Sequence, residues 1–138
     1  MIQATDIVAL LKLYNAHEPK DITIGVLGGH SCLDVCRGAK KLGFKTVAVC
    51  QEGRDKTYSK YFKTRDARNR AGDELGCVDE IILVKKFADI ANADVQDRLR
   101  KLKTIFVHNR YFWVYCDYAR IENEFKVPMF GTRCAVRL

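Results

Sequence analysis

Long apolar runs are missing from this 138-residue chain. No stretch approaches the roughly twenty consecutive apolar residues that a membrane-spanning helix needs. The first segment also lacks a basic region followed by a continuous apolar stretch, so neither a secretory signal nor a membrane anchor is expected, and the chain is expected to be cytoplasmic. Cys-x-x-Cys pairs are absent too. The six cysteines, at 32, 36, 50, 77, 116 and 134, fall at irregular spacings with no histidine at ligand distance in sequence. That pattern argues against zinc and for reduced, mostly buried thiols acting as small apolar residues.

Two further shortages narrow the chemistry. The glycines at 28 and 29 are not followed by the third glycine of a dinucleotide fingerprint, since the sequence runs Gly28-Gly-His-Ser-Cys-Leu33. A dinucleotide is therefore not expected. Acidic residues are outnumbered, 17 against 24 lysines and arginines, giving a net charge of +7. The surplus is local: residues 54–73 hold seven basic side chains (Arg54, Lys56, Lys60, Lys63, Arg65, Arg68, Arg70) against Asp55, Asp66 and Asp73. Such a segment is a solvated face, a guide for a small anion or a track for a nucleic-acid backbone. Tyr58, Tyr61 and Phe62 lie within it, at spacings that suit either base stacking or one packed side of a helix.

What is present is a strand followed by a glycine turn. Ile22, Ile24, Val26 and Leu27 form a short, largely β-branched run that suits a strand buried on both faces of a parallel sheet. Gly28 and Gly29 can take positive φ or let backbone N–H groups approach a ligand closely. Ser31 is placed to N-cap a helix with Cys32, Leu33, Val35, Cys36, Ala39 and Leu42 on its apolar face, with Asp34 able to complete a capping box and Gly43 to close it. A strand, a tight turn and a helix N-terminus form an anion site in many folds. His30 at its mouth can donate to a phosphate or simply bond the loop backbone, while Asp34 in the first helical turn counts against an anion.

Around this unit the chain alternates. A first helix is expected from Thr5, as its N-cap, to Tyr14, with Ile7, Val8, Leu10, Leu11 and Tyr14 turned inward. A second strand follows over residues 44–50. One or two helices are expected in the basic segment, interrupted near Lys63 and Gly72, before a third strand over residues 80–84. Val95, Leu99 and Leu102 mark a helix with Asp94 near its start and Arg98, Arg100, Lys101 and Lys103 near its end. Residues 104–108 make a fourth strand, and a helix over 117–125 precedes a short strand over 127–130 and an outward turn at 131–133. Trp113 and Tyr115 read as core filling, and His108 as either a satisfied strand-end histidine or a ligand contact. The fold class is α/β: a Rossmann-like open parallel sheet with helices on both faces.

In such a sheet ligands bind outside the carboxyl ends of the strands. Four strand ends converge there, at residues 28–31, 52–54, 85–87 and 108–111. Glycine N–H groups and His30 offer phosphate contacts, Arg54 and Arg110 offer charge-assisted hydrogen bonds, and Tyr111 or Phe112 offers a stacking face.

Four segments in this order are specific together: Gly-Gly-His-Ser at 28–31, Gly-Ala-Lys-Lys-Leu-Gly-Phe at 38–44, Glu-Gly-Arg at 52–54 with Tyr58 beyond, and Ile-Glu-Asn-Glu-Phe-Lys-Val-Pro-Met-Phe-Gly-Thr-Arg at 121–133. Over nearly the whole chain they resemble the N-terminal pre-ATP-grasp region of the 5-formaminoimidazole-4-carboxamide ribonucleotide synthetases, formate-dependent ligases of the ATP-grasp superfamily. The resemblance implies joining of formate to the amine of aminoimidazole carboxamide ribonucleotide with ATP, in purine biosynthesis. It implies that residues 1–138 are one Rossmann-like domain holding the ribonucleotide, with ATP and magnesium held by a following ATP-grasp domain that this chain does not include, and with no cofactor of its own. It places a nucleotide-binding role on His30, and the candidate substrate-binding set becomes Gly28, Gly29, His30, Ser31, Arg54, Arg110 and Tyr111, with no catalytic or metal-binding residue.

Two features depart from the family pattern. Tyr111 stands where a small serine is usual after Asn109-Arg110, and the chain ends at Leu138. Alone it is expected to bind and not to catalyse, with an apolar surface for the missing domain or for self-association. Two other readings stay open: a basic RNA-binding protein acting through residues 54–70, and a Rossmann-like sensor of another phosphorylated metabolite.

Overall fold

The computed structural model describes residues 2–130 and, at Phe112 and Trp113, the backbone alone. The outward turn expected at 131–133, the end of the fourth family-like segment and Cys134 lie outside the described residues. In chain order the elements are α1 (Ala4–Tyr14), β1 (Thr23–Leu27), α2 (Cys32–Lys41), β2 (Lys45–Gln51), β3 (Arg65–Arg68), β4 (Glu74–Leu75), β5 (Glu80–Val84), α3 (Ala93–Lys101), β6 (Thr104–Phe106), α4 (Arg110–Tyr115) and α5 (Tyr118–Asn123). Tight 3-10 turns at Pro19–Asp21 and Phe87–Ala91 and one π-helical turn at Thr57–Tyr61 occupy connections between them.

β1 is the pivot of a four-stranded parallel sheet of order β5-β2-β1-β6. It pairs with β2 in register from Thr23 opposite Lys45 to Leu27 opposite Val49, and with β6 from Thr23 opposite Thr104 to Gly25 opposite Phe106. The pleat sends alternate residues to opposite faces. Val26, Ala48 and Cys50 join Cys32 and Cys36 of α2 in one apolar layer, with Cys77 and Val78. Leu27, Val47, Val49, Ile82 and Val84 join Phe87, Val95, Leu99, Phe106, Ile121 and Phe125 in the other. With apolar neighbours on both sides, β1 and β2 read as continuous apolar runs rather than as alternating ones. The expected α/β fold, with helices on both faces of an open parallel sheet, is the observed one.

Several expected boundaries shift. α1 starts two residues earlier than expected, with Gln3 rather than Thr5 as its N-cap, and its first turn is capped by Asp6, whose carboxylate accepts the Gln3 N–H at 3.1 Å. Its inner face is also thinner than its periodicity predicts. Only Tyr14 is buried, its hydroxyl donating to the Thr104 carbonyl at 2.9 Å, while Val8 and Leu13 are 50% and 79% exposed. Burial pushes the Tyr14 phenol up to about 12 against the opposing pull of Arg100. Leu42, assigned to the apolar face of α2, is exposed just past the helix end, where Gly43 takes φ +90. Residues 127–130 contribute a single parallel bridge, Met129 to Phe106, rather than a strand.

The basic segment departs most. The expected helices are replaced by the π-helical turn and an antiparallel ribbon, β3 against β4. The reason lies in its turn: Asn69 Oδ1 accepts the N–H groups of Ala71 at 2.9 Å and Asp73 at 3.1 Å, and Gly72 has φ +86. An Asn side chain that closes its own turn favours reversal over helix continuation.

Asp79 fastens this ribbon to the amino ends of β2 and β5. Its Oδ2 accepts the Thr46 N–H at 3.0 Å, its Oδ1 accepts the Thr64 hydroxyl at 2.7 Å, and Lys40 Nζ donates to both oxygens at 3.1 and 3.2 Å. Lys63 Nζ donates to the Asp79 carbonyl at 2.6 Å, and Lys40 also pairs with Glu74 at 3.2 Å. Burial alone would lower the Lys40 pKa, but its bonds to Asp79 and Glu74 outweigh that effect and hold it above the ordinary lysine value. Asp79→Ala is expected to lower stability by about 3 kcal/mol, measured as the urea midpoint. An unchanged midpoint would show that the ribbon is held by other contacts.

The described cysteines, at 32, 36, 50, 77 and 116, are free and buried. Burial raises the Cys50 and Cys116 thiols to about 12, and also raises Cys77. A hydrogen bond with Cys36, reinforced by burial, raises Cys32. These thiols stay protonated and shielded at neutral pH. A thiol reagent at pH 8 is expected to leave all five unlabelled in the folded chain and to label them in urea, as read by mass spectrometry. Rapid native labelling of Cys50 or Cys77 would contradict the packed layer between α2 and the sheet.

Candidate functional site at the carboxyl ends of the strands

The strand order reverses at β1, because the chain adds β2 and β5 on one side and β6 on the other. A crevice is expected at such a reversal, between the loops that leave β1 and β6. These loops are residues 28–31 and 107–109, the second running into α4. Sequence reasoning named both loops but missed the group that joins them. Asn109 is buried, and its Nδ2 donates to the carbonyls of Leu27 and His30, each at 3.0 Å. Its Oδ1 accepts the Tyr111 N–H at 3.2 Å, capping α4. The capping role was legible as an Asn ahead of a helix; the two bonds to a loop some eighty residues earlier were not.

The glycine turn differs from the expected one. Positive φ falls on Ser31, at 68°, and on neither Gly28 nor Gly29. Ser31 occupies the N-cap position of α2 without a side-chain cap bond, so the capping box with Asp34 is not formed. Its hydroxyl shares a hydrogen bond of 2.9 Å with His30 Nδ1 instead. If the hydroxyl is the donor, the ring proton sits on Nε2 and an approaching anion meets a donor.

The two glycines are required for close approach. A Cβ on Gly28 would lie 2.7 Å from Cys50 Sγ, and one on Gly29 would collide with the edge of the Tyr111 ring. The Gly28 N–H donates to Val49 at 2.7 Å and the Gly29 N–H to Leu27 at 2.8 Å, so neither glycine N–H is the open donor that the sequence suggested. Among the described residues, the N–H groups of His30 and Ser31 carry no such bond, and both residues are exposed. The donors left for an anion are these two N–H groups and the imidazole.

Aromatic residues close around Gly29. The Tyr58 hydroxyl donates to the Gly29 carbonyl at 3.2 Å. Burial, then the neighbouring thiols of Cys32 and Cys50 and the phenol of Tyr111, push the Tyr58 phenol up to about 12, so it remains a donor at any physiological pH. Tyr111 meets Phe87 and Tyr115 edge-on, each with ring centroids 5.1 Å apart. Tyr115 is 44% exposed and therefore not core filling. The side chains of Trp113 and Phe112, the second expected stacking face, lie outside the described residues. His108, expected at the end of the fourth strand, lies in the loop beyond β6, which ends at Phe106, and is half-buried.

The predicted cations stand apart. Arg54 follows β2 with its N–H on the Gln51 carbonyl at 3.0 Å, and Arg110 opens α4; both are exposed, and among the described residues neither guanidinium bonds the glycine loop. Most of the basic segment leaves this edge altogether, running with Lys63 and Thr64 to Asp79 at the amino edge. Tyr61 and Phe62 are exposed there, and only Tyr58 of the three aromatics reaches the crevice.

Asn109→Ala is expected to cost about 1–3 kcal/mol by leaving the Leu27 and His30 carbonyls without their buried donor. Amide exchange of residues 28–32 should quicken with it. Exchange at the wild-type rate would show that the loop holds its shape without the clip.

A family model described as a protein of unknown function, DUF1246, matches residues 24–138. A curated protein of Methanothermobacter thermautotrophicus, named 5-formaminoimidazole-4-carboxamide-1-(beta)-D-ribofuranosyl 5'-monophosphate synthetase, is 39% identical over 128 residues, covering 93% of this chain and 31% of that protein. Proteins of the same name are 39% identical in Methanocaldococcus jannaschii, over 93% of this chain and 32% of theirs, and 35% identical in Methanosphaera stadtmanae, over 99% and 33%. The chain thus spans about a third of the length of the curated relatives it matches. The crystal structure of an IMP biosynthesis protein PurP from Thermococcus kodakaraensis superposes with a TM-score of 0.56 at 27% identity, over 80% of this chain and 29% of that one.

Proposed function

We propose, from the premise that the chain belongs to the DUF1246 family, that it binds a phosphorylated ribonucleotide as one part of a purine-biosynthetic ligase. The relatives' name points to a ribofuranosyl monophosphate as ligand class, and the resemblance seen in the sequence narrows it to aminoimidazole carboxamide ribonucleotide. The observation that carries the reading is the set of open donors at the place where the strand order reverses. There the N–H groups of His30 and Ser31 and the His30 imidazole, steadied by Ser31 Oγ, form a small donor set on the outside of the sheet. These groups take the phosphate, by the general chemistry of backbone N–H groups and imidazole toward anions. Arg54 and Arg110, long and exposed at neighbouring loops, swing in as charge-assisted partners. Gly28 and Gly29 shape the floor by leaving room for Cys50 and Tyr111 rather than by donating.

The formylation itself is assigned to chain outside these residues. Among the described residues, no group of three or more His, Cys, Asp or Glu side chains is placed to hold a metal ion. By the family resemblance, ATP and magnesium belong to an ATP-grasp portion, and the 138 residues alone bind without turning over. Exposed apolar side chains at Leu13, Val114 and Phe130 suit a surface covered by that portion or by a second copy. No helix among the described residues is long and apolar enough to cross a membrane.

Calorimetric titration with aminoimidazole carboxamide ribonucleotide is expected to show one site, weakened about tenfold or more in His30→Ala, with no heat from ATP. Absence of nucleotide binding would sink the assignment. Salt-sensitive RNA binding uncontested by the nucleotide would replace it with a role for the basic ribbon.

A further inference from the structure

Tyr111 closes the crevice that the proposed ligand must enter. Its ring lies so close to Gly29 that no Cβ fits there, and it is held edge-on between Phe87 and Tyr115. Cavities of 210 to 540 Å³ elsewhere on the molecule are lined by other residues, none from 28–31 or 108–111. The glycine loop is meanwhile fixed from the other side, with the Gly29 carbonyl on the Tyr58 hydroxyl and the His30 carbonyl on Asn109. The loop has no slack with which to move away from the ring.

We propose that Tyr111 is a specificity-determining gate: its ring fills the space against Gly29 and must swing out before a ribonucleotide can seat between the loops after β1 and β6. This rests on the ribonucleotide reading above. The phosphate end can still meet His30 and Ser31, which are exposed, but the remainder of the ligand competes with the ring for one volume. The hinge is short, because the Tyr111 N–H is tied to Asn109 Oδ1 while the ring partners Phe87 and Tyr115 differ in burial. Phe87 is part of the core and stays; Tyr115 is 44% exposed and can travel with α4. A site whose open form is a minor population binds with its intrinsic affinity reduced by that fraction. The gate therefore selects for a ligand that repays ring displacement, and a bare phosphate, which leaves the ring in place, gains nothing from it.

The test is titration of the intact 138-residue chain with aminoimidazole carboxamide ribonucleotide, with inorganic phosphate in parallel. Tyr111→Ser is expected to bind the nucleotide at least about tenfold more tightly than wild type, with faster association and unchanged phosphate affinity. Tyr111→Phe, which keeps the ring, is expected to match wild type. Tyr115→Ala removes one of the two ring partners on an exposed residue and is expected to tighten binding about threefold; it also carries the test if Tyr111→Ser does not fold. Wild-type binding that depends on His30 but is no tighter, or is weaker, in the Tyr111→Ser and Tyr115→Ala variants overturns the gate and leaves the ribonucleotide reading standing. Binding by no variant removes both, since an opened crevice that takes no nucleotide is not gated against one.

Discussion

The carboxyl edge of this protein depends on one buried carboxamide. Asn109 reaches from the loop after β6 to the carbonyl of Leu27 at the end of β1 and that of His30 in the loop beyond, at the place where the strand order reverses. Parallel strands leave such loops without ladder partners, and a buried carbonyl without a donor is costly. By supplying donors to both carbonyls and an acceptor to the start of α4, one side chain sets the spacing between the loops. The position of Tyr111 over Gly29, the hold of Tyr58 on the same residue and the outward display of His30 and Ser31 all follow from that spacing.

The opposite edge is organised by charge. Asp79 gathers an ammonium, a hydroxyl and a backbone N–H at the amino ends of β2 and β5, and so draws the basic ribbon away from the crevice. The net positive charge consequently falls mainly on a solvated face away from the carboxyl edge, and the two cations left near that edge, Arg54 and Arg110, are exposed. Guanidinium groups on the ribbon bond their own backbone, Arg65 to the Tyr61 carbonyl and Arg68 to the Gly72 carbonyl. Proximity in sequence to a strand end thus did not place the basic cluster at the ligand edge.

Much of the sheet was legible from residue types. The β-branched run of β1, the βαβ unit through α2 and β2, and the strand at 80–84 lie where the periodicity put them, because a strand covered on both faces must be apolar throughout. The fourth strand starts at Thr104 as expected but ends at Phe106 rather than at His108. The cysteines read as packing residues, and the five described ones are buried. The ribbon at 65–75 was misread because the helical spacing of Tyr58, Tyr61 and Phe62 was carried on past Lys63, while the reversing Asn69 and Gly72 carried the better signal. α1 was misread in the other direction. Its apolar stripe is real, yet the helix sits at the margin of the fold and buries only Tyr14.

By itself the sequence determined the strands of the parallel sheet, the helices that cover them and the loops at the sheet's carboxyl edge, since these follow from short-range patterns of apolar side chains and glycine. Only the tertiary structure decided which groups meet at that edge. It diverted Ser31 to His30, occupied the glycine N–H groups, brought Asn109 to Leu27 across 82 residues and laid Tyr111 on Gly29. Periodicity reports which side of an element is apolar. Contacts between distant loops depend on strand order and register, which no local pattern encodes.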